Sequence, residues 1–211
     1  VAGTGGEAFP ANGADLTIGR LLSDATNGEL YAVLDEIRLS STVRSAAWLK
    51  AEYENLMNPG AFVSVGASSG IFPQGWERKC PITIDSSAID ADLTDWTFIV
   101  TKENLPDEMF LSAGDYPALE GGGDIRFSSD PGGLNRLACD IRTFHLDSHG
   151  GGSAAEIAVK VPSVNAASDT TIYIWYGKAG VVQPPVTDAF GQYNAYDGSY
   201  ALVSPGGGDE D

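Results

Sequence analysis

The chain has 211 residues, enough for one large domain or two small ones with a real core. Its 29 acidic and 12 basic residues give a formal charge of −17, a field that repels DNA, RNA and anionic lipid. No apolar run reaches the roughly 18 residues of a membrane span, so insertion into a bilayer is not expected either.

The acidic balance suits a solvated surface, a calcium-rich setting or a cationic partner. A start at Val1 with no leader pattern reads as a processed or trimmed segment of something longer. Glycine is frequent at 26 residues, helical patterns are scarce, and short β-branched runs alternate with Gly, Asn, Asp and Ser. That combination predicts an all-β fold, a sandwich or jelly roll, with one short helix near 45–55.

Residues 1–14 are Gly- and Ala-rich and read as a loop. Asp15–Arg20 (DLTIGR) is a short strand, and Ser23–Gly28 a turn. Over Tyr31–Leu39 the residues Tyr31, Val33, Asp35, Ile37 and Leu39 alternate with Ala32, Leu34, Glu36 and Arg38, a period-two strand. Ser45 caps a helix over Ala46–Asn55, with the aromatics among Trp48, Leu49, Glu52 and Tyr53 on one side. Residues 58–75 read as a linker containing an edge strand, AFVSVG, with a domain boundary inside it.

From Trp76 a second unit begins. Its predicted strands are Cys80–Asp85, Thr97–Thr101, Asp124–Ser128, Leu137–Phe144, Ala154–Val161 and Thr171–Tyr176, with a helical turn or two in Glu103–Phe110. Pro184–Pro185 stiffens a second linker over 181–211, which ends in a further candidate strand, AYDGSYALV.

Two resemblances follow. The segment LYAVLDEIRLSSTVRSAAWLKAEY (Leu30–Tyr53) resembles the closing segment of a LamG/concanavalin-A-like jelly roll, and DLTIGR is similar to the strand before that segment's last hairpin. Between Trp76 and Gly177, the blocks WERKCPITID, ADLTDWTFIV, GGDIRFSSD, LACDIRTF, AVKVPSV and DTTIYIWYG resemble, in order, an uncharacterised β-sandwich family without established chemistry. Members of that family often precede LamG-like domains in secreted bacterial and archaeal proteins and in phage structural proteins. AYDGSYALV is similar to the opening strand of the domain that follows. The resemblances imply a LamG-like tail over 1–57, a linker over 58–75, a complete sandwich over 76–180, and a linker with a first LamG-like strand over 181–211. Residues 1–56 cannot close a sandwich alone, so they are expected to pair with Tyr196–Val203, within the chain or between subunits.

Chemistry-bearing residues are few. Asp90, Asp92 and Asp95 read either as a solvated turn or as calcium ligands. Cys80 and Cys139 lie beside predicted strands and form either one disulfide or two inert buried thiols. His145 and His149 flank Asp147 and Ser148 in one tight loop, too close for a triad, and they lack metal-ligand spacing to either cysteine, which argues against zinc. Asp124 caps the Gly turn or pairs with Arg126 or Arg142. Tyr173 and Trp175 share a strand face that is either core or a glycan-stacking platform.

No nucleophile elbow, phosphate loop or dinucleotide fingerprint is present. The sequence therefore predicts a non-enzymatic structural or adhesive module of an extracellular, cell-surface or virion assembly. Its expected partners are copies of itself or other surface proteins, with no nucleic acid and no membrane insertion. The alternative is a carbohydrate-binding accessory module of a secreted glycan-degrading enzyme, with polysaccharide as the partner.

Overall fold

The computed structural model describes residues 37–66 and 75–204, with the backbone alone for 200–204. The strand expected at 15–20, the turn at 23–28 and most of the glycine-containing stretch at 67–75 lie outside the described residues. The chain divides into two compact units, residues 1–43 with 201–211 and residues 44–200. In the first, β1 (Ile37–Ser40) and β10 (Tyr200–Ser204) form a two-stranded sheet. The pairing expected between the two ends of the chain is thus present within one chain.

The 44–200 unit is a sandwich of two antiparallel sheets. One has five strands in the order β2 (Val63–Val65), β3 (Arg78–Ile84), β9 (Thr170–Tyr176), β5 (Arg126–Ser128) and β6 (Arg136–Leu137). The other has three, in the order β4 (Leu93–Thr101), β8 (Ala154–Val164) and β7 (Cys139–His145). Period-two patterning decides which side chains face inward. In β3 and β9 the register pairs Cys80 with Ile174 and Ile82 with Ile172, and all four side chains are fully buried. Opposite them, β4 and β8 pair Trp96 with Val161, Phe98 with Val159 and Val100 with Ile157. Each large side chain removed from water in this way contributes about 1.5–3 kcal/mol before its ordering cost.

The ladder between β4 and β8 skips one position. Asp95 sits at φ +50°, and its opposite number in the register is Pro162, which has no N–H to give. Asp95 tolerates the left-handed region better than a branched residue would.

Helix α1 (Ala46–Met57) begins as the sequence predicts, with Ser45 Oγ accepting from the Trp48 N–H at 3.1 Å. Its buried stripe is Trp48, Ala51 and Asn55, whereas Tyr53 and Leu49 are exposed, so the aromatics do not share a side. The reason lies in Asn55. Its side-chain amide donates to the Ile99 carbonyl and accepts from the Ile99 N–H, both at 2.8 Å. Ile99 belongs to β4, an outer strand of its sheet, and the amide satisfies this edge as another strand would. The short helix α2 (Pro59–Phe62) then places Phe62 against Trp96, with ring centroids 5.7 Å apart. α1, α2 and β2 are therefore part of the sandwich, and the boundary expected at 58–75 is replaced by the division near residue 43.

The 181–200 stretch is likewise more than a linker. Phe190 O accepts from the Cys139 N–H at 3.4 Å, and Ala195 O accepts from Thr97 Oγ1 at 3.2 Å. Tyr196 Oη donates to Asp140 Oδ2 at 2.5 Å and accepts from Arg142 Nε at 3.2 Å. The segment thus lies along β4 and β7. Arg44 closes the unit: its guanidinium lies 4.2 Å over the Trp48 ring, bonds Ser199 and meets Asp197 Oδ2 at 2.7 Å.

Two outcomes test this account. Asn55→Ala leaves a buried N–H and C=O without partners and is expected to cost about 2–4 kcal/mol, read as a lower urea midpoint at constant slope. The second concerns pH. Burial alone would raise the Asp197 carboxyl, but its bonds from Arg44 and Ser199 prevail and hold it at about 2, below its ordinary 3.8. A depressed carboxyl stabilises the fold in full above its ordinary value, and that contribution fades as pH falls through the folded one. The stability deficit of Arg44→Gln, measured by denaturation across this range, should therefore be full near neutrality and shrink as pH approaches 2.

Candidate functional site

The three aspartates read as calcium ligands do not converge. Asp90 Oδ1 pairs with Lys50 Nζ at 2.8 Å, Asp92 Oδ1 accepts from the Ala166 N–H at 2.9 Å, and Asp95 stands in the irregular ladder position of β4. One of these carboxylates is spent on a lysine of α1 and another on a loop N–H.

Cys80 and Cys139 are free thiols, both buried, so the disulfide reading gives way to that of two inert thiols. Cys80 belongs to the five-stranded sheet and donates to the Gly66 carbonyl at 2.8 Å, while Cys139 opens β7 in the three-stranded sheet. Burial pushes the first thiol up to about 11, helped by Glu108, and the second up to about 12. Neither is a nucleophile near neutral pH.

Trp175 is not a stacking platform. It is 1 % exposed, its indole N–H donates to Ser128 Oγ at 3.1 Å, and the Trp76 ring packs edge-on against it at 5.7 Å. Tyr173 shares its face as expected and is half-buried, with Lys79 Nζ 5.6 Å from the ring.

Asp124 does more than cap a turn. Fully buried, it accepts from the Leu119 N–H at 2.8 Å through Oδ1 and from the N–H groups of Gly177 and Lys178 at 2.7 and 3.0 Å through Oδ2. Its own carbonyl accepts from the Trp76 indole at 2.6 Å. Gly177 adopts φ +80°, which turns two successive N–H groups toward one oxygen, and a Cβ there would press on Tyr116 at 3.2 Å. Neither arginine proposed as its partner takes that role. Arg126 spends its donors on the carbonyls of Gly123, Ile125 and Val182, and Arg142 pairs with Glu156 at 2.6 Å.

Among the described residues, one group of three metal-capable side chains comes together: Glu120, His145 and His149. His145 ends β7, and a tight turn (His149 N–H to Leu146 O, 3.1 Å) brings His149 back beside it. The two imidazoles stack with centroids 3.8 Å apart and planes 13° from parallel. Both direct Nδ1 at Glu120 Oε1, from 2.7 and 3.5 Å. The other carboxylate oxygen accepts from the Leu146 N–H at 2.8 Å. These bonds, from His145 first and then Leu146, hold the Glu120 carboxyl below its ordinary range. Such a group can share a proton or hold a cation between two nitrogens and an oxygen. Weighing the histidines only against the cysteines misses it. The H-x-x-x-H spacing was the visible signal, but Glu120 lies 25 residues upstream of His145 and becomes a partner only through the fold.

Asp124→Asn sets an amide N–H against backbone donors and is expected to cost about 2–4 kcal/mol by urea denaturation, whereas exposed Asp90→Asn should stay within about 0.5 kcal/mol of the parent. The chain matches no family model, no curated protein and no solved structure.

Proposed function

We propose that this chain is a non-enzymatic structural and adhesive module of an extracellular or virion-surface assembly, joined to copies of itself or to other surface proteins by strand pairing. The observation that carries the reading is the β1–β10 sheet, in which strands from opposite ends of one chain pair. The same pairing made between chains links copies without any new kind of contact. The resemblance of Leu30–Tyr53 and Trp76–Gly177 to sandwich modules of secreted and phage structural proteins supports a surface setting. The charge of −17 supports a role outside nucleic-acid binding and keeps unpaired copies apart in solution. The alternative of a glycan-binding accessory module is weakened because Trp175, half of its stacking pair, is buried.

Light scattering of the purified chain over a wide concentration range, in chelating buffer, tests the proposal. A defined oligomer or filament is expected. A monomer at every concentration overturns assembly between copies, and saturable binding of a polysaccharide by that monomer would put the accessory-module reading in its place.

A further inference from the structure

We propose that Glu120, His145 and His149 bind one divalent transition-metal ion per chain, of the borderline class to which Zn²⁺ belongs. Two imidazole nitrogens and a carboxylate oxygen form a donor set that such ions favour, whereas calcium and magnesium take oxygen ligands almost exclusively. The distances fit. A tetrahedral ion with bonds of about 2.0–2.1 Å holds its ligand atoms roughly 3.3 Å apart. Here the two Nδ1 atoms lie 2.7 and 3.5 Å from Glu120 Oε1, and all three ligand atoms fall within 4.8 Å of one another. Entry of the ion requires the His145–Glu120 hydrogen bond to open by a few tenths of an ångström and the two stacked rings to splay so that each Nδ1 lone pair points at it.

The ligands are held by bonds that the ion need not supply. Glu120 is anchored through its second oxygen by the Leu146 N–H. The turn carrying His149 is pinned at both ends: Asp147 donates its N–H to Phe110 O at 2.9 Å and accepts from the Ser112 N–H at 2.8 Å, and Gly152 N–H meets His149 O at 2.8 Å. The side chains of His145, Glu120 and His149 remain 35, 47 and 44 % exposed, so one face of the site is open to a water ligand. The acidic chain also raises the cation concentration near its surface.

The test uses untagged chain. Equilibrium dialysis and calorimetry with Zn²⁺ should show one site per chain that excess Ca²⁺ does not displace. His145 and His149 are the chain's only histidines, so their imidazole proton resonances should both move on zinc addition. His149→Gln and Glu120→Gln, at exposed positions, should each weaken binding by about tenfold or more while the urea midpoint stays put. Absence of stoichiometric binding overturns the proposal and leaves a hydrogen-bonded Glu–His cluster. So does binding that is unchanged in His149→Gln, which would assign the ion elsewhere. Neither result bears on the mass in chelating buffer, so this site and the assembly reading fail separately.

Discussion

One end of the five-stranded sheet is tied together by a single buried residue. Asp124 sits where three pieces of chain approach one another: the approach to the Gly turn at Leu119, the exit of β9 at Gly177 and Lys178, and the entry to β3 at Trp76. Each would otherwise bring an unsatisfied backbone or indole donor into an apolar interior, at about 1–3 kcal/mol apiece. One residue answers all of them, and this fixes β5 against β9 before packing is considered. The Trp76–Trp175 contact is a consequence, since Trp76 is aimed by its bond to Asp124 and then covers the outer face of β9.

A second polar device works at the other sheet. Asn55 uses a side-chain amide to complete the edge of β4 at Ile99, while the 181–200 stretch runs along β4 and β7. The three-stranded sheet is therefore covered along β4 and β7 by a segment that looks like a linker in composition. Gly and Pro content signals irregular backbone, not the absence of packing. A segment with little regular structure still buries its polar groups if the neighbouring strand offers partners.

This explains what was legible in the sequence and what was not. Strands β3, β8 and β9 could be read because alternation in RKCPITI, AAEIAVKV and TTIYIWY needs only local information; it sorts the β9 side chains into two faces, of which the one with Ile172, Ile174 and Tyr176 faces the core. Ser45 was legible as a cap for the same reason. The face of α1 was not, because its orientation follows from Asn55 reaching a residue 44 positions away. Trp175 is hidden by Trp76, 99 positions upstream, so alternation identified its face but not its cover. The disulfide could not be judged without the sheets, which place the two cysteines in different layers. Asp90, Asp92 and Asp95 are close in sequence, yet two of them are committed to Lys50 and Ala166. Glu120, His145 and His149 are brought together by the turn after β7.

The clasp at Arg44 and Asp197 has a consequence for strand exchange between copies. It joins the first and last parts of the 44–200 unit by contacts that involve neither β1 nor β10. Val43, next to it in sequence, is 90 % exposed. Both partners of the clasp lie inside residues 44–200, so exchanging β1 and β10 between copies does not require this ion pair to open. A copy that takes part in such an exchange keeps the first and last turns of its own sandwich fastened.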